Sequence, residues 1–185
     1  MKIFAIYSNV ELVEKPDWFE DFYCKYNNSP KYHVTLKQSC LVEESDLQDI
    51  KDKLSTFFRN FHTPNHQIAL TFNKLILDTE NNQTRTILLN AEYCPKIYEL
   101  QAGLIAVLKD YKNYLWKECK EWEKNFKPHL TIASDITKKQ YEAALEEMGS
   151  NIHCRGIIKD VALIILDKMI PAEADRPENQ TIFYL

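Results

Sequence analysis

The sequence predicts a mixed α/β (α+β) fold: two similar β-α-β-α-β lobes with antiparallel or mixed sheets around a central cleft. The chain has 185 residues, close to the usual size of one domain of about 150 residues. Hydrophobic residues make up 45% of it and charged residues 27%, which is typical of a globular protein with an ordinary core. Strand-like and helix-like segments follow one another in the same order twice. We therefore expect a single bilobal domain, residues 1–185, with repeats at about 1–78 and 84–170 and a last strand at 181–185.

The first repeat combines short apolar strands with two amphipathic helices. Pro16 suits the first turn of a helix, and the polar segment 27–30 ends that helix. The second helix has apolar residues at helical spacing from Leu47 to Phe58. In order, the predicted elements are a strand at 2–8, a helix at 16–26, a strand at 32–37, a helix at 43–61 and a strand at 67–77.

The second repeat follows a polar turn or loop at 78–83. Its first helix opens at Pro95, and apolar residues at spacings of three and four continue to Leu115. The predicted elements are a strand at 84–93, this long helix, a short strand at 129–133, a helix at 137–148 and a strand at 157–166. A charged, proline-containing loop at 171–179 leads to the last strand.

Composition excludes several classes of protein. The net charge of −4 provides no broad positive field for duplex DNA or long RNA. Three isolated glycines cannot form a phosphate-binding P-loop or a dinucleotide-binding turn. Five scattered cysteines without a C-x-x-C pair fit neither a disulfide framework nor a zinc knuckle, and no apolar run is long enough to span a bilayer. We expect a cytoplasmic monomer with no membrane partner.

One tetrapeptide pattern, His-apolar-Thr-apolar, occurs in the short strand of both repeats. The first copy is His33-Val-Thr35-Leu and the second is His129-Leu-Thr131-Ile. Because side chains alternate along a strand, each His and its Thr share one face, about 7 Å apart. If a two-fold axis relates the repeats, the four polar side chains surround one cleft.

A single copy of this pattern has an ordinary explanation as a core or surface histidine beside a threonine that favours strands. With five histidines and ten threonines in the chain, two copies arise by chance in about one of a thousand shuffled sequences. The matched positions in the two repeats make coincidence rarer still. We therefore take His33, Thr35, His129 and Thr131 as the candidate catalytic residues.

Two H-x-T-x motifs about a hundred residues apart, in a chain of this size with two similar lobes, resemble the two-histidine (2H) phosphoesterase superfamily. This superfamily includes RNA 2′,3′-cyclic phosphodiesterases, also called 2′-5′ RNA ligase-like proteins. Pro128 before the second histidine fits the resemblance, whereas Tyr32 before the first is a less usual neighbour. The resemblance implies action on a cyclic phosphate or a 2′-5′ phosphodiester.

The chemistry of phosphodiester cleavage explains these residue types. One imidazole acts as base for the attacking oxygen and the other as acid for the leaving oxygen, and threonine hydroxyls donate to the non-bridging oxygens. Neither a metal nor a cofactor is required. By strand alternation Lys37 shares the face of Thr35, so it is a candidate phosphate contact, and a solvated lysine is the alternative. Tyr7 and Tyr184 are candidates to stack on a nucleobase.

The other histidines are weaker candidates. His62 and His66 flank Pro64 in a turn and so do not form a helical metal pair, and His153 beside Cys154 has no further ligands nearby. Structural roles are favoured for all three.

The sequence therefore predicts a metal-independent phosphoesterase that hydrolyses a 2′,3′-cyclic phosphate or a 2′-5′ phosphodiester in RNA ends or small nucleotides. The acidic net charge favours short substrates. Two alternatives within the superfamily are a cyclic oligonucleotide phosphodiesterase and an RNA exonuclease that leaves a cyclic phosphate. A nucleotide-binding module without turnover and a purely structural α/β protein are the alternatives from other classes.

Overall fold

The computed structural model describes residues 1–27, 31–78 and 84–185 and contains both strands and helices, as predicted. Its strands are β1 (Lys2–Asn9), β2 (Glu11–Glu14), β3 (His33–Val42), β4 (Ile68–Asp78), β5 (Arg85–Ala91), β6 (His129–Ile136), β7 (Cys154–Ile158), β8 (Asp160–Leu166) and β9 (Gln180–Tyr184). Its helices are α1 (Phe19–Tyr26), α2 (Leu47–Asn60), α3 (Pro95–Val107), α4 (Lys117–Lys124), α5 (Lys138–Glu147) and the single turn α6 (Pro171–Ala174).

The strands form two antiparallel sheets. The first sheet has the order β3-β1-β8-β9, and the second has the order β2-β7-β4-β5-β6. The strands that carry the two motifs, β3 and β6, are each at one edge of their sheet and contact each other. The two sheets therefore meet where the motifs lie, and the predicted fold class is confirmed.

Two long extended segments run from one sheet into the other. β1 continues through Val10 into β2, and β7 continues through Lys159 into β8, so each segment contributes one strand to each sheet. The Ser8 hydroxyl donates to the Asp160 carbonyl at 3.0 Å, and the Asn9 amide donates to the Asp160 carboxylate at 2.8 Å. These contacts hold the two segments together at the crossing.

This crossing corrects one predicted element. The segment 157–166, expected to be one strand, is divided between β7 and β8 in different sheets. The polar residues Lys159 and Asp160 interrupt its apolar run at the division. As a result, each sheet contains strands from both sequence repeats.

The helices cover the sheets from the side of the main core. α3 and α4 pack against β3 and α2 packs against β9, whereas α1 and α5 pack against β6 and β5 of the second sheet. The predicted apolar stripe of α2 is buried through Ile50, Leu54 and Phe58. A smaller apolar cluster on the other face of the first sheet includes Ile3, Ala162, Ile164, Leu166 and Ala174.

Several predicted boundaries were wrong. The helix from Pro95 ends at Val107, and Leu115 instead lies beside β3, where its amide donates to the Ser39 carbonyl at 2.9 Å. Neither β2 nor α4 was predicted, and the predicted loop 171–179 contains α6. The turn predicted at 78–83 falls largely outside the described residues, as do positions 28–30 of the predicted helix stop. No helix in the described part of the chain is long and apolar enough to cross a membrane.

Candidate active site

The two motifs occupy equivalent positions at the starts of β3 and β6. On the first sheet His33 is paired with Asn9 and Thr35 with Tyr7. On the second sheet His129 is paired with Asn90 and Thr131 with Leu88. In both motifs the His and Thr are half-buried and the two apolar residues are buried. The alternation expected for the four motif residues is therefore present in both strands.

The same β-bulge follows the threonine in each motif. In β3 the next paired residue after Thr35 is Lys37, which lies opposite Ile6, so Leu36 is the extra residue. In β6 the register is shifted in the same way after Thr131, with Ile132 as the extra residue. A bulge adds one residue to one strand only. Every later side chain of that strand then points to the face opposite to the one that simple alternation predicts.

The bulge overturns the expected placement of Lys37. Paired residues of an antiparallel ladder point to the same face, so Lys37 shares the face of the buried Ile6 and Thr35 that of Tyr7. Lys37 is only 1% exposed, and its Nζ lies 3.1 Å from a carboxylate oxygen of Glu123. The prediction that Lys37 shares the face of Thr35, and is free to contact a phosphate there, is wrong.

Both candidate catalytic histidines are oriented by a backbone carbonyl two residues earlier. Nδ1 of His33 lies 3.2 Å from the Lys31 carbonyl, and Nδ1 of His129 lies 2.7 Å from the Lys127 carbonyl. Since a carbonyl only accepts hydrogen bonds, each Nδ1 carries the hydrogen and donates it. Each neutral ring therefore keeps Nε2 as its free basic nitrogen.

Burial favours the neutral form of both imidazoles. It lowers the pKa of His33 and of His129 below the usual 6.5, and the hydrogen bond to the backbone carbonyl opposes this in each case. The charge of His129 lowers the pKa of His33 further, and that of Asp175 raises it. The strands that carry the two rings, β3 and β6, contact each other.

Tyr7 forms part of the same site from the neighbouring strand. Its ring stacks on that of His33, with centroids 4.4 Å apart and planes inclined by 15°. Burial, with smaller contributions from Asp175 and Cys119, raises the pKa of the Tyr7 hydroxyl to about 12, so it stays protonated at neutral pH. One face of the Tyr7 ring is covered by His33. Stacking of a nucleobase on Tyr7 stays a prediction, and it would have to use the rest of the ring.

A cleft of about 200 Å³ lies at this site, and of the four motif residues only His33 and Thr131 are among its described lining residues, whereas Thr35 and His129 are not. His33 and Thr131 form part of its wall, and Asn27 donates from its side chain to the Thr131 carbonyl. Among the described residues that line it, none is Lys or Arg. The lining residues are Tyr7, Asn27, His33, Thr131, Ser134, Asp135, Met169, Pro171, Ala174 and Asp175.

Sequence reasoning missed four polar residues of this wall. Ser134 and Asp135 lie two and three residues after the second motif, and the bulge after Thr131 explains why alternation alone does not place them. Asn27 and Asp175 come from distant segments and carry no motif. A local signal that could have strengthened the motif is a lysine two residues before each histidine, Lys31 and Lys127.

The remaining candidates lie away from the cleft. Tyr184 is 75% exposed on β9, three strands and roughly 14 Å from β3 across the first sheet. Nδ1 of His66 lies 2.9 Å from the Leu185 carbonyl, and Nε2 of His153 lies 3.9 Å from Glu14. Within residues 1–27, 31–78 and 84–185 no three His, Cys, Asp or Glu side chains are grouped to hold a metal ion. A wider groove of about 580 Å³, lined by α2 residues and Val107, contains no histidine.

A family model of the 2′-5′ RNA ligase superfamily matches residues 13–168, which include both motifs. The chain belongs to the 2′-5′ RNA ligase superfamily of 2H phosphoesterases. No curated protein matches it in sequence. The resemblance first indicated by two tetrapeptides is confirmed.

Solved structures similar to the chain share its fold at low sequence identity. Usb1 of Kluyveromyces marxianus with uridine monophosphate aligns over 99% of this chain and 98% of its own, with 8% identity and a TM-score of 0.57. LigT of E. coli complexed with 3′-AMP aligns over 100% and 94%, with 13% identity and a TM-score of 0.52. TT0787 of Thermus thermophilus aligns over 100% and 95%, with 16% identity and a TM-score of 0.53.

Proposed function

We propose that this protein is a metal-independent phosphoesterase that hydrolyses a 2′,3′-cyclic phosphate or a 2′-5′ phosphodiester in RNA ends or small nucleotides. The observation that carries the proposal is the matched orientation of the two imidazoles, each held through Nδ1 so that Nε2 is free. His33 lines the cleft, and His129 lies on β6, which contacts β3. Two such imidazoles on neighbouring strands fit the acid and the base of a phosphoryl transfer.

His33 and His129 divide the two proton transfers. The neutral imidazole takes a proton from water, whose oxygen attacks phosphorus. The bond from phosphorus to the ribose oxygen breaks, and the protonated imidazole gives its proton to that oxygen. The Thr35 and Thr131 hydroxyls donate to the non-bridging oxygens, where negative charge accumulates in the transition state.

The negative charge of the bound phosphate favours protonation of one imidazole. Burial lowers the pKa of both histidines and so favours the neutral form of each ring in the free protein. An anionic phosphate between them stabilises one imidazolium and so raises the pKa of the ring that becomes the acid. Substrate binding therefore prepares the acid and base pair.

The cleft favours a short substrate with little charge. Its volume of about 200 Å³ suits a phosphate with part of one nucleoside, and Asp135 and Asp175 lie in its wall. These carboxylates disfavour a highly charged backbone. The nucleotides named with two similar structures, uridine monophosphate and 3′-AMP, support a ligand of this kind.

A substrate panel with a chelator tests the proposal. Purified protein in EDTA is incubated with 2′,3′-cyclic nucleotides, 2′-5′ dinucleotides and RNAs ending in a cyclic phosphate, and products are separated by chromatography. We expect hydrolysis of at least one class. Loss of activity in EDTA with rescue by a divalent ion contradicts metal independence, and binding without turnover indicates a nucleotide-binding module.

A further inference from the structure

A buried ion pair joins the strand of the first histidine to the helix that precedes the second. Lys37 lies in β3, four residues after His33, and Glu123 lies in α4, six residues before His129. Lys37 Nζ is 3.1 Å from Oε2 of Glu123 and 3.4 Å from Oε1. The two residues are 1% and 8% exposed, so both charges are removed from water.

The Glu123 carboxylate has further partners on several elements. Oε2 accepts from the backbone amide of Gln38 at 3.3 Å, and Oε1 accepts from the Tyr114 hydroxyl at 2.6 Å. The backbone carbonyl of Glu123 accepts from the Gln101 amide in α3 at 3.3 Å. The Lys37 ammonium also lies 5.2 Å from the centroid of the Tyr114 ring. Glu123 is therefore bound to β3 through two successive residues.

The second motif has no charged residue at the equivalent position. At the position that matches Lys37 after the second bulge, β6 has Ala133, which is completely buried. An apolar side chain therefore fits the core face beside such a bulge. Because desolvation offsets most of the attraction in a buried ion pair, apolar replacement of both partners is often neutral for stability. The pair calls for an explanation other than stability.

We propose that the Lys37–Glu123 pair is a positioning contact that fixes the first catalytic strand relative to the second. The inference rests on the proposed function, in which the spacing of two imidazoles sets the rate. β3 is paired with β1 on both sides of the bulge at Leu36, which ties His33 and Lys37 to the same neighbouring strand. Residues 125–128 connect α4 to His129. Displacement of a catalytic group by about 1 Å lowers the rate by as much as about 100-fold.

A double variant, Lys37→Met with Glu123→Leu, removes both charges and the contact they make. The matched control is Lys53→Met with Asp49→Leu, which removes an ion pair on the outer surface of α2. We expect the control to keep the wild-type thermal midpoint and the first variant to lose some stability, because the Gln38 amide and the Tyr114 hydroxyl lose their acceptor. In the first, kcat should fall about 10- to 100-fold while KM changes little, because positioning acts on the transition state. The control should keep wild-type kcat and KM.

A titration of the free protein tests the same geometry without any substrate. NMR of the imidazoles reports the pKa of His33, which His129 lowers in the wild type. If the distance between the His33 and His129 imidazoles increases in the double variant, the effect of His129 weakens and the pKa of His33 rises. The other groups that face His33, namely Asp175, Tyr7 and the Lys31 carbonyl, are the same in both proteins. A protein that turns over no substrate contradicts the proposed function, and the titration still decides the positioning role.

Lys37→Met with Glu123→Gln keeps an acceptor for Gln38 and Tyr114 and serves as the second variant if the first does not fold. A folded double variant with wild-type kcat and an unshifted His33 titration overturns the inference. A loss of kcat in parallel with an equal loss of thermal stability, with no change in the titration, also overturns it, since a purely structural role gives that result.

Discussion

At the scale of single residues, local contacts reproduce the same histidine geometry twice. Each ring donates from Nδ1 to the carbonyl two residues earlier, so the backbone before the strand orients the imidazole. The accepting carbonyl belongs to the residue two positions before each motif, so this orientation is local in the sequence, and the catalytic role of both histidines stays a prediction. Asn27 and Asp175 reach the cleft through tertiary structure, which no local pattern reveals.

Substitution of either histidine by alanine should lower kcat on the substrate identified by the panel by roughly 10²- to 10⁴-fold. This is the usual contribution of one positioned acid or base. Steady-state kinetics of His33→Ala and His129→Ala measure the effect. His62→Ala is the matched control, because His62 is an exposed residue outside the cleft, and it should keep the wild-type rate. Equal rates in all three variants would exclude the two histidines from the reaction.

The pH dependence of kcat/KM should be a bell with its maximum below pH 6.5. This parameter reports the free protein, in which burial lowers both imidazole pKa values below 6.5. One ring must be neutral and the other protonated, a state that is most populated between the two pKa values. The bell for kcat should lie at higher pH, since bound phosphate favours the imidazolium. A maximum of kcat/KM above pH 8 is incompatible with this pair.

At the scale of elements, strand alternation predicted the site as far as the first bulge and no further. It placed His33 and Thr35 correctly on one face and misplaced Lys37, because the register is shifted after Thr35. No feature of the tetrapeptide indicates that shift. The division of 157–166 into β7 and β8 is likewise not visible in the local sequence, because the strands with which a segment pairs decide which sheet it joins.

Close packing at the crossing of the sheets gives a prediction for Gly156. This residue of β7 is paired with Leu12 and Leu70, and an added Cβ would clash with Cγ1 of Val10. Val10 is stiff and 5% exposed, so the segment between β1 and β2 would have to shift. Gly156→Ala should lower the free energy of unfolding by about 1–3 kcal/mol, as measured by urea denaturation. Gly149→Ala, beside the Trp18 ring, is the comparison and should cost less, because a side chain outside the crossing can move aside.

At the scale of the whole molecule, the sequence repeats and the sheets divide the chain differently. The repeats suggest two lobes of a single domain, each built from one repeat. In the structure β8 of the second repeat lies between β1 and β9 in the first sheet, and β4 of the first repeat lies between β7 and β5 in the second. A repeat in the sequence predicts the order of strands and helices along the chain. It does not record which strands pair, because pairing is decided by contacts between distant segments.

The shared strands should make the two sheets unfold together. Neither sheet can lose its strands without breaking a segment that continues into the other, at Val10 and at Lys159. Trp18 precedes α1, which packs on β6 of the second sheet, and its indole donates to the carbonyl of Asn151 in the segment before β7. Trp122 lies in α4, which packs on β3 of the first sheet. In variants that keep one of these tryptophans, with phenylalanine at the other two, fluorescence should give the same urea midpoint and the same slope. Two transitions separated in urea would mean that each sheet is stable without the other, and the crossing segments would then be linkers rather than shared parts of one cooperative core.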